Sequence, residues 1–139
     1  MMQYVVLDTN CLLQILGLRS KFHYLWRMFL EEKYVLCIST EVLLEYEEIL
    51  KQKASPTVAE MFLKVISHSE NVLRRDPYYR LGLIEADPDD NKFVDCAFAC
   101  QADYIVTDDS HFSVLATIPF PQISVRKLDD FAAEFPDTL

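Results

Sequence analysis

Gln3-Tyr4-Val5-Val6-Leu7-Asp8-Thr9-Asn10 is a short apolar and β-branched run closed by an acid. A run of this length without polar alternation suits a strand buried on both faces, as the strands of parallel sheets are. Asp8 then stands at the carboxyl end of that strand, where open α/β sheets form their ligand crevice. The same pattern returns late in the chain, where Tyr104-Ile105-Val106 runs into Thr107-Asp108-Asp109.

Between and around these two runs, strand-like and helix-like patterns alternate. Apolar residues fall at helical spacing from Cys11 to Leu16, and again at Phe22, Leu25, Trp26, Phe29 and Leu30 after a polar break at Arg19 to Lys21. Tyr34 to Ile38 reads as a second strand. Ser39 is placed to cap a helix carrying Val42, Leu43, Leu44, Tyr46, Ile49 and Leu50, and Pro56 opens another with Met61, Phe62, Val65 and Ile66. A weak strand at Val72 to Arg74 lies in an ambiguous stretch. The turn cluster Asp87-Pro88-Asp89-Asp90-Asn91 then starts a strong helix through Phe93, Val94, Ala97, Phe98 and Ala99. A short helix at Phe112 to Leu115, a strand at Ile123 to Val125 and a helix from Leu128 to Phe135 finish the chain. This alternation predicts βαβ units: a three-layer α/β/α sandwich around a central, mainly parallel sheet of about five strands, with residues 1–139 forming a single domain.

Composition removes several functions. Two glycines in 139 residues leave no glycine-rich cradle for a nucleotide phosphate. A net charge of -9 argues against a domain that coats nucleic acid or binds an anionic membrane through charge alone. The opening, Met1 to Asp8, lacks a signal peptide's basic region, and no run approaches about 18 uninterrupted apolar residues, so a cytoplasmic protein is expected. Cys11, Cys37, Cys96 and Cys100 have neither zinc-site spacing nor scaffold density, and read as small buried hydrophobes.

In a parallel sheet the carboxyl ends of the strands and the helix starts that follow them converge. Asp8, Asp90, Asp109 and Glu45, the last about two turns into the Ser39-capped helix, are so placed. Any one acid has a simpler account: Asp89 or Asp90 as a helix cap, Asp108 or Asp109 as the cap of the next short helix, Glu45 as an exposed residue. The set is harder to dismiss. Asp8 follows a wholly apolar strand, and Glu45 sits between Leu44 and Tyr46. Carboxylates without an evident basic partner are best satisfied by a hard divalent ion. His23, His68 and His111 lack zinc-ligand spacing, so magnesium or manganese is expected. Such sites perform in-line hydrolysis of phosphodiesters.

The segments Val5 to Asn10, Ser39 to Glu45, Asp89 to Phe93 and Ile105 to Asp109 together resemble the PIN-domain nucleases, and most closely the VapC-like toxins of bacterial toxin–antitoxin pairs. The resemblance runs through nearly the whole chain. It implies a PIN-like nuclease domain whose catalytic, metal-holding acids are Asp8, Glu45, Asp90 and Asp109, with Asn10 and Thr107 orienting ligands. Asp109 is preferred to Asp108 because it stands two after Thr107 and three before Phe112. Asp95, about 140° around the helix from Asp90, is either a further ligand or a helix residue. The resemblance further implies an Mg2+- or Mn2+-dependent endoribonuclease that cuts single-stranded RNA, leaves a 5′-phosphate and is restrained by an antitoxin.

Arg74, Arg75 and Arg80 interleave with Tyr78 and Tyr79, a combination suited to pairing with phosphates and stacking on bases of single-stranded RNA, or else a solvated loop. A homodimer is the commonest assembly for such a domain. Two rivals stand beside the nuclease: a catalytically silent PIN fold that binds RNA or protein, and a phosphorelay receiver. The receiver would use Thr107 and Lys127, with Asp76 as the nearest candidate phospho-acceptor, although Asp76 follows the polar Arg74-Arg75 pair.

Overall fold

The computed structural model describes residues 2–136, so the first residue and the last three of the expected 1–139 domain lie outside the described residues. The chain runs β1 (Tyr4–Leu7), α1 (Thr9–Leu16), α2 (Tyr24–Leu30), β2 (Val35–Ile38), α3 (Thr40–Lys53), α4 (Pro56–His68), β3 (Val72–Arg74), α5 (Asn91–Cys100), β4 (Tyr104–Val106), β5 (Val125–Arg126) and α6 (Leu128–Ala133). Two 3-10 segments, Pro88–Asp90 and Ser110–Thr117, precede α5 and follow β4.

The five strands pair in the order β3-β2-β1-β4-β5, every pair parallel. The expected sandwich is therefore present, with a wholly parallel sheet. From β1 the chain builds outward through β2 to β3, then returns to lay β4 on the other side of β1. The order reverses between β1 and β4, and that reversal opens a crevice at their carboxyl ends. Leu7 lies beside Val106 in register, so the residues after them, Asp8 and Thr107, emerge side by side.

Burial follows the pattern of each strand. Val5, Val6, Leu7, Leu36, Cys37, Ile38, Tyr104, Ile105 and Val106 are all sealed from solvent, as strands covered by helices on both faces must be. Ser39 caps α3 by accepting from Val42 N at 3.2 Å, and Ser55 caps α4 by accepting from Val58 N at 3.1 Å. A cluster of rings, Phe29, Tyr34, Tyr104 and Phe131, locks α2 and α6 onto the sheet. All four cysteines are free and buried, as their apolar surroundings suggest.

The departures from the expected bounds are largest toward the end of the chain. The last strand is Val125–Arg126, beginning two residues later than Ile123, because only these residues reach the register of Ile105 and Val106. The final helix ends at Ala133, and Phe135 packs beyond it against Tyr34 and Phe131. The short helix around Phe112 is a 3-10 segment that buries only Phe112 and Leu115.

Candidate metal centre

Asp8 is buried at the start of α1, with its two oxygens divided between two tasks. Oδ1 accepts from the Cys11 amide at 2.8 Å and caps the helix, while Oδ2 accepts from the buried Thr107 hydroxyl. Burial raises its carboxyl above the usual range, and the Thr107 bond opposes that rise. The Thr107 oxygen in turn accepts from the Asp109 amide at 3.0 Å, so one threonine ties β4's exit loop to the end of β1. A cleft of about 550 Å³ opens here, lined by Asp8, the exposed Asn10, Gln14, Asp108 and Asp109 among others. Asp108 turns instead to α6, where it accepts from the Leu128 amide at 3.1 Å. Of the two adjacent acids, Asp109 is the one that joins other acids.

That group is built by the loop before α5. Asn91 pins residue 84 of the loop with two bonds, accepting from Ile84 N and donating to Ile84 O, each at 2.9 Å. Asp87 caps the following 3-10 turn through the Asp89 amide at 3.2 Å, which leaves Asp90 free of any side-chain capping bond. The cap expected at Asp89 or Asp90 is thus Asp87. One ligand atom each from Asp87, Asp90, Asp109 and His111 lies within 4.8 Å of all the others. Asp90 Oδ2 is the only buried side-chain polar atom among the described residues without a hydrogen-bond partner. Burial, then the neighbouring Asp109 and Asp87, push its carboxyl up to about 7. A buried, unpartnered carboxylate oxygen facing two further acids and an imidazole fits a divalent cation, which would supply the missing partner for that oxygen.

Sequence reasoning does not find His111 or Asp87, since the histidines show no ligand spacing. His111 Nδ1 nevertheless stands 3.2 Å from Asp109 Oδ1, because Asp109 caps the 3-10 segment through the His111 amide at 2.9 Å and so holds the exposed ring beside the acids. The available signal is an imidazole two residues beyond a predicted ligand. Lys92 escapes sequence reasoning as well. Glu45, expected to lack a basic partner, accepts from Lys92 Nζ at 2.7 Å and from the Thr9 hydroxyl, and so lies beside Asp8's helix rather than among the Asp90 group. The four predicted acids thus occupy three neighbouring positions: Asp8 with Thr107, Glu45 with Lys92, and Asp90 with Asp109.

Asp95 is buried and accepts from the Leu81 amide at 3.1 Å, on the loop side of α5, so here it serves as a helix residue holding the loop. Arg80 pairs with Glu41, and Arg74 donates to the Thr40 hydroxyl at 2.9 Å, while Arg75 is exposed. Asp76 is exposed and bonded to the Thr40 amide and hydroxyl beyond β3, at an edge strand away from Thr107, which removes the receiver arrangement. Of two larger clefts, one of about 1020 Å³ reaches the centre at Thr107, Asp108 and Asp109, and one of about 1060 Å³ contains none of the predicted acids.

A family model for the PIN domain matches residues 4–111, most of the chain. No curated protein sequence matches significantly. Solved structures do: VapBC2 from Rickettsia felis bound to a promoter DNA fragment aligns at a TM-score of 0.61 and 17% identity, over 89% of this chain and 98% of that one. VapC20 from Mycobacterium tuberculosis, described as a sarcin-ricin loop cleaving toxin, aligns at 0.57 and 16% identity, over 78% and 92%. DNA-bound VapBC from Salmonella typhimurium aligns at 0.56 and 21% identity, over 92% and 99%. No helix among the described residues is long and apolar enough to cross a membrane.

Proposed function

The chain belongs to the PIN-domain family, and from that premise we propose that it is a divalent-metal-dependent endoribonuclease acting on single-stranded RNA, the toxin of a toxin–antitoxin pair. One observation carries the reading: the unpartnered, buried Asp90 Oδ2 faces Asp87, Asp109 and His111 at the carboxyl end of the sheet, beside the β1/β4 reversal. The solved structures that share the fold include VapBC proteins and a sarcin-ricin loop cleaving toxin, which supports the toxin–antitoxin reading.

Asp90 and Asp109 would hold the ion, magnesium or manganese, with Asp8 sharing the cleft beside Asp109, and Glu45 would join them by exchanging Lys92 for the ion. Bound there, the ion supplies activation of water and neutralisation of the charge that develops on the phosphate. The chain's own residues set the geometry. Thr107 holds Asp8 Oδ2 and the Asp109 amide together, so the two acids keep a fixed separation. Asn10, on the exposed wall of the cleft, is placed to bond a phosphate or a water. Lys92 holds Glu45 in place through its ammonium, and Asp95 and Asp108 act as supports for the loops that carry the others.

Arg74, Arg75 and Arg80 remain the proposed grip on RNA. Arg75 is available as it stands, whereas Arg80 and Arg74 would exchange Glu41 and Thr40 for phosphate oxygens. The Lys92–Glu45 pair also favours a second reading, a catalytically silent PIN fold that binds RNA or protein, because a carboxylate already neutralised by lysine need not ligate an ion.

The deciding experiment incubates the purified protein with single-stranded RNA in Mg2+, in Mn2+ and in excess EDTA. Cleavage in metal alone, lowered by orders of magnitude in Asp8→Asn and Asp90→Asn, is the expected result. Cleavage that survives EDTA refutes the metal reading, and RNA binding without cleavage in any metal selects the silent module.

A further inference from the structure

The donor set around Asp90 is not made of carboxylates alone. His111 Nδ1 stands 3.2 Å from Asp109 Oδ1, 3.7 Å from Asp90 Oδ2 and 3.9 Å from Asp87 Oδ2. Ligands bound at about 2.1 Å in an octahedral shell stand about 3 Å apart when adjacent and about 4 Å apart when opposite, so these spacings already lie in the range a bound ion imposes. The ring is held there by the chain. Asp109 is the cap of the 3-10 segment, its Oδ1 accepts from the His111 amide at 2.9 Å, and the first turn carries the imidazole over the three carboxylates. Asp87 is held near Asp90 by the turn between them, its Oδ1 accepting from the Asp89 amide at 3.2 Å and its carbonyl from the Asp90 amide at 3.1 Å.

We infer that His111 and Asp87 are ligands of the cation held by Asp90 and Asp109, and that the imidazole makes this centre select a first-row transition ion, Mn2+, over Mg2+. The inference rests on the metal-site reading above and deepens it. Magnesium demands oxygen ligands in a near-ideal octahedron and gives up water reluctantly, so a site that spends one position on nitrogen favours the transition ion. Asp90 Oδ2 is the donor whose need is greatest, since neither water-accessible surface nor a protein hydrogen bond compensates it. The other two histidines are engaged elsewhere, His23 against Ile15 O at 3.0 Å and His68 against Lys64 O at 2.8 Å, so imidazole nitrogen at a bound ion can be assigned to His111.

The test uses the whole protein and the metals alone, without RNA. Mn2+ is titrated with the free-ion electron paramagnetic resonance signal as readout, Mg2+ is added as competitor, and electron spin-echo modulation reports nitrogen bound to Mn2+. The parent is expected to bind Mn2+ at least tenfold more tightly than Mg2+ and to show 14N modulation of imidazole type. His111→Asn, which keeps a polar side chain but removes the imidazole, should lose the modulation and about tenfold of the Mn2+ preference while its Mg2+ affinity changes little. Asp87→Asn should weaken both ions and retain the modulation. Tight Mn2+ binding by the parent without 14N modulation, with the preference unchanged in His111→Asn, overturns the assignment of His111 and leaves the metal centre standing. Failure of the parent to bind either ion overturns both.

Discussion

Replacing Asp90 by Asn should make the metal-free protein more stable, and the size of the effect follows from the crowding around one oxygen. Asp90 is 15% exposed at the side chain and faces Asp87 and Asp109 with atoms within 4.8 Å. Two like charges about 4 to 5 Å apart repel by about 3 to 4 kcal/mol at an effective dielectric constant of about 20. The lifted carboxyl tells the same story: a rise from 3.8 to about 7 corresponds to about 4 kcal/mol, at about 1.4 kcal/mol per tenfold change. Asp87 and Asp109 are 42% and 33% exposed at their side chains, so solvent screens part of this. About 2 kcal/mol remains, which for a domain of this size raises Tm by about 6 to 10 °C.

The sign with pH is fixed. A carboxyl whose folded-state pKa is raised costs nothing below its unfolded value near 3.8, and the cost grows as pH rises toward about 7 and is flat above it. The stabilisation by Asp90→Asn should therefore be near zero at pH 4 and full at pH 8. Scanning calorimetry in EDTA at both pH values measures it. Added Mn2+ should then stabilise the parent, by about 2.7 kcal/mol at a hundredfold excess over Kd, and the variant far less. A variant that melts lower than the parent at pH 8 in EDTA, yet gains as much from Mn2+, would refute both the repulsion and the ligand role of Asp90.

Thr107→Val keeps the shape of the side chain but removes the hydroxyl shared by Asp8 and the Asp109 amide, and should cost about 1 to 3 kcal/mol in denaturant unfolding; an unchanged midpoint would mean that Asp8 is satisfied without it. Lys92→Met strips Glu45 of its ion pair in a site where the two side chains are 19% and 22% exposed; a loss of about 1 to 2 kcal/mol is expected, and a gain would show that the pair is held against its own desolvation. Replacing Arg74, Arg75 and Arg80 together by Ala should weaken RNA binding and flatten its salt dependence, by about 0.7 in the log–log slope for each arginine that pairs with a phosphate. An unchanged slope in a binding titration returns the three arginines to loop structure.

The parts legible in the sequence are those decided locally. Val5 to Leu7 and Tyr104 to Val106 are recognisable because a strand covered on both faces has no polar residue to confuse its pattern, and Asp8 and Thr107 follow from where those strands stop. The edge strands β3 and β5, of three and two residues, carry too few side chains for a pattern, so one reads weakly and the other is displaced. The cluster of acids around Asp90 is half legible for a different reason. Asp90 and Asp109 stand at ends of elements, where position alone announces them. Asp87 and His111 come together only through the reversal of strand order and the fastening of a loop by Asn91, neither of which leaves a mark in spacing. Glu45 shows the converse: its position is legible and its partner is not, since Lys92 lies 47 residues away in sequence and one bond away in space.

Asp8 and Asp109 each use one carboxylate oxygen to cap the segment that follows them. Asparagine caps about as well as aspartate, and the two residues differ by a single nucleotide in their codons. A single point mutation at either position would therefore remove a negative charge from the crevice while keeping the bond that starts the following segment.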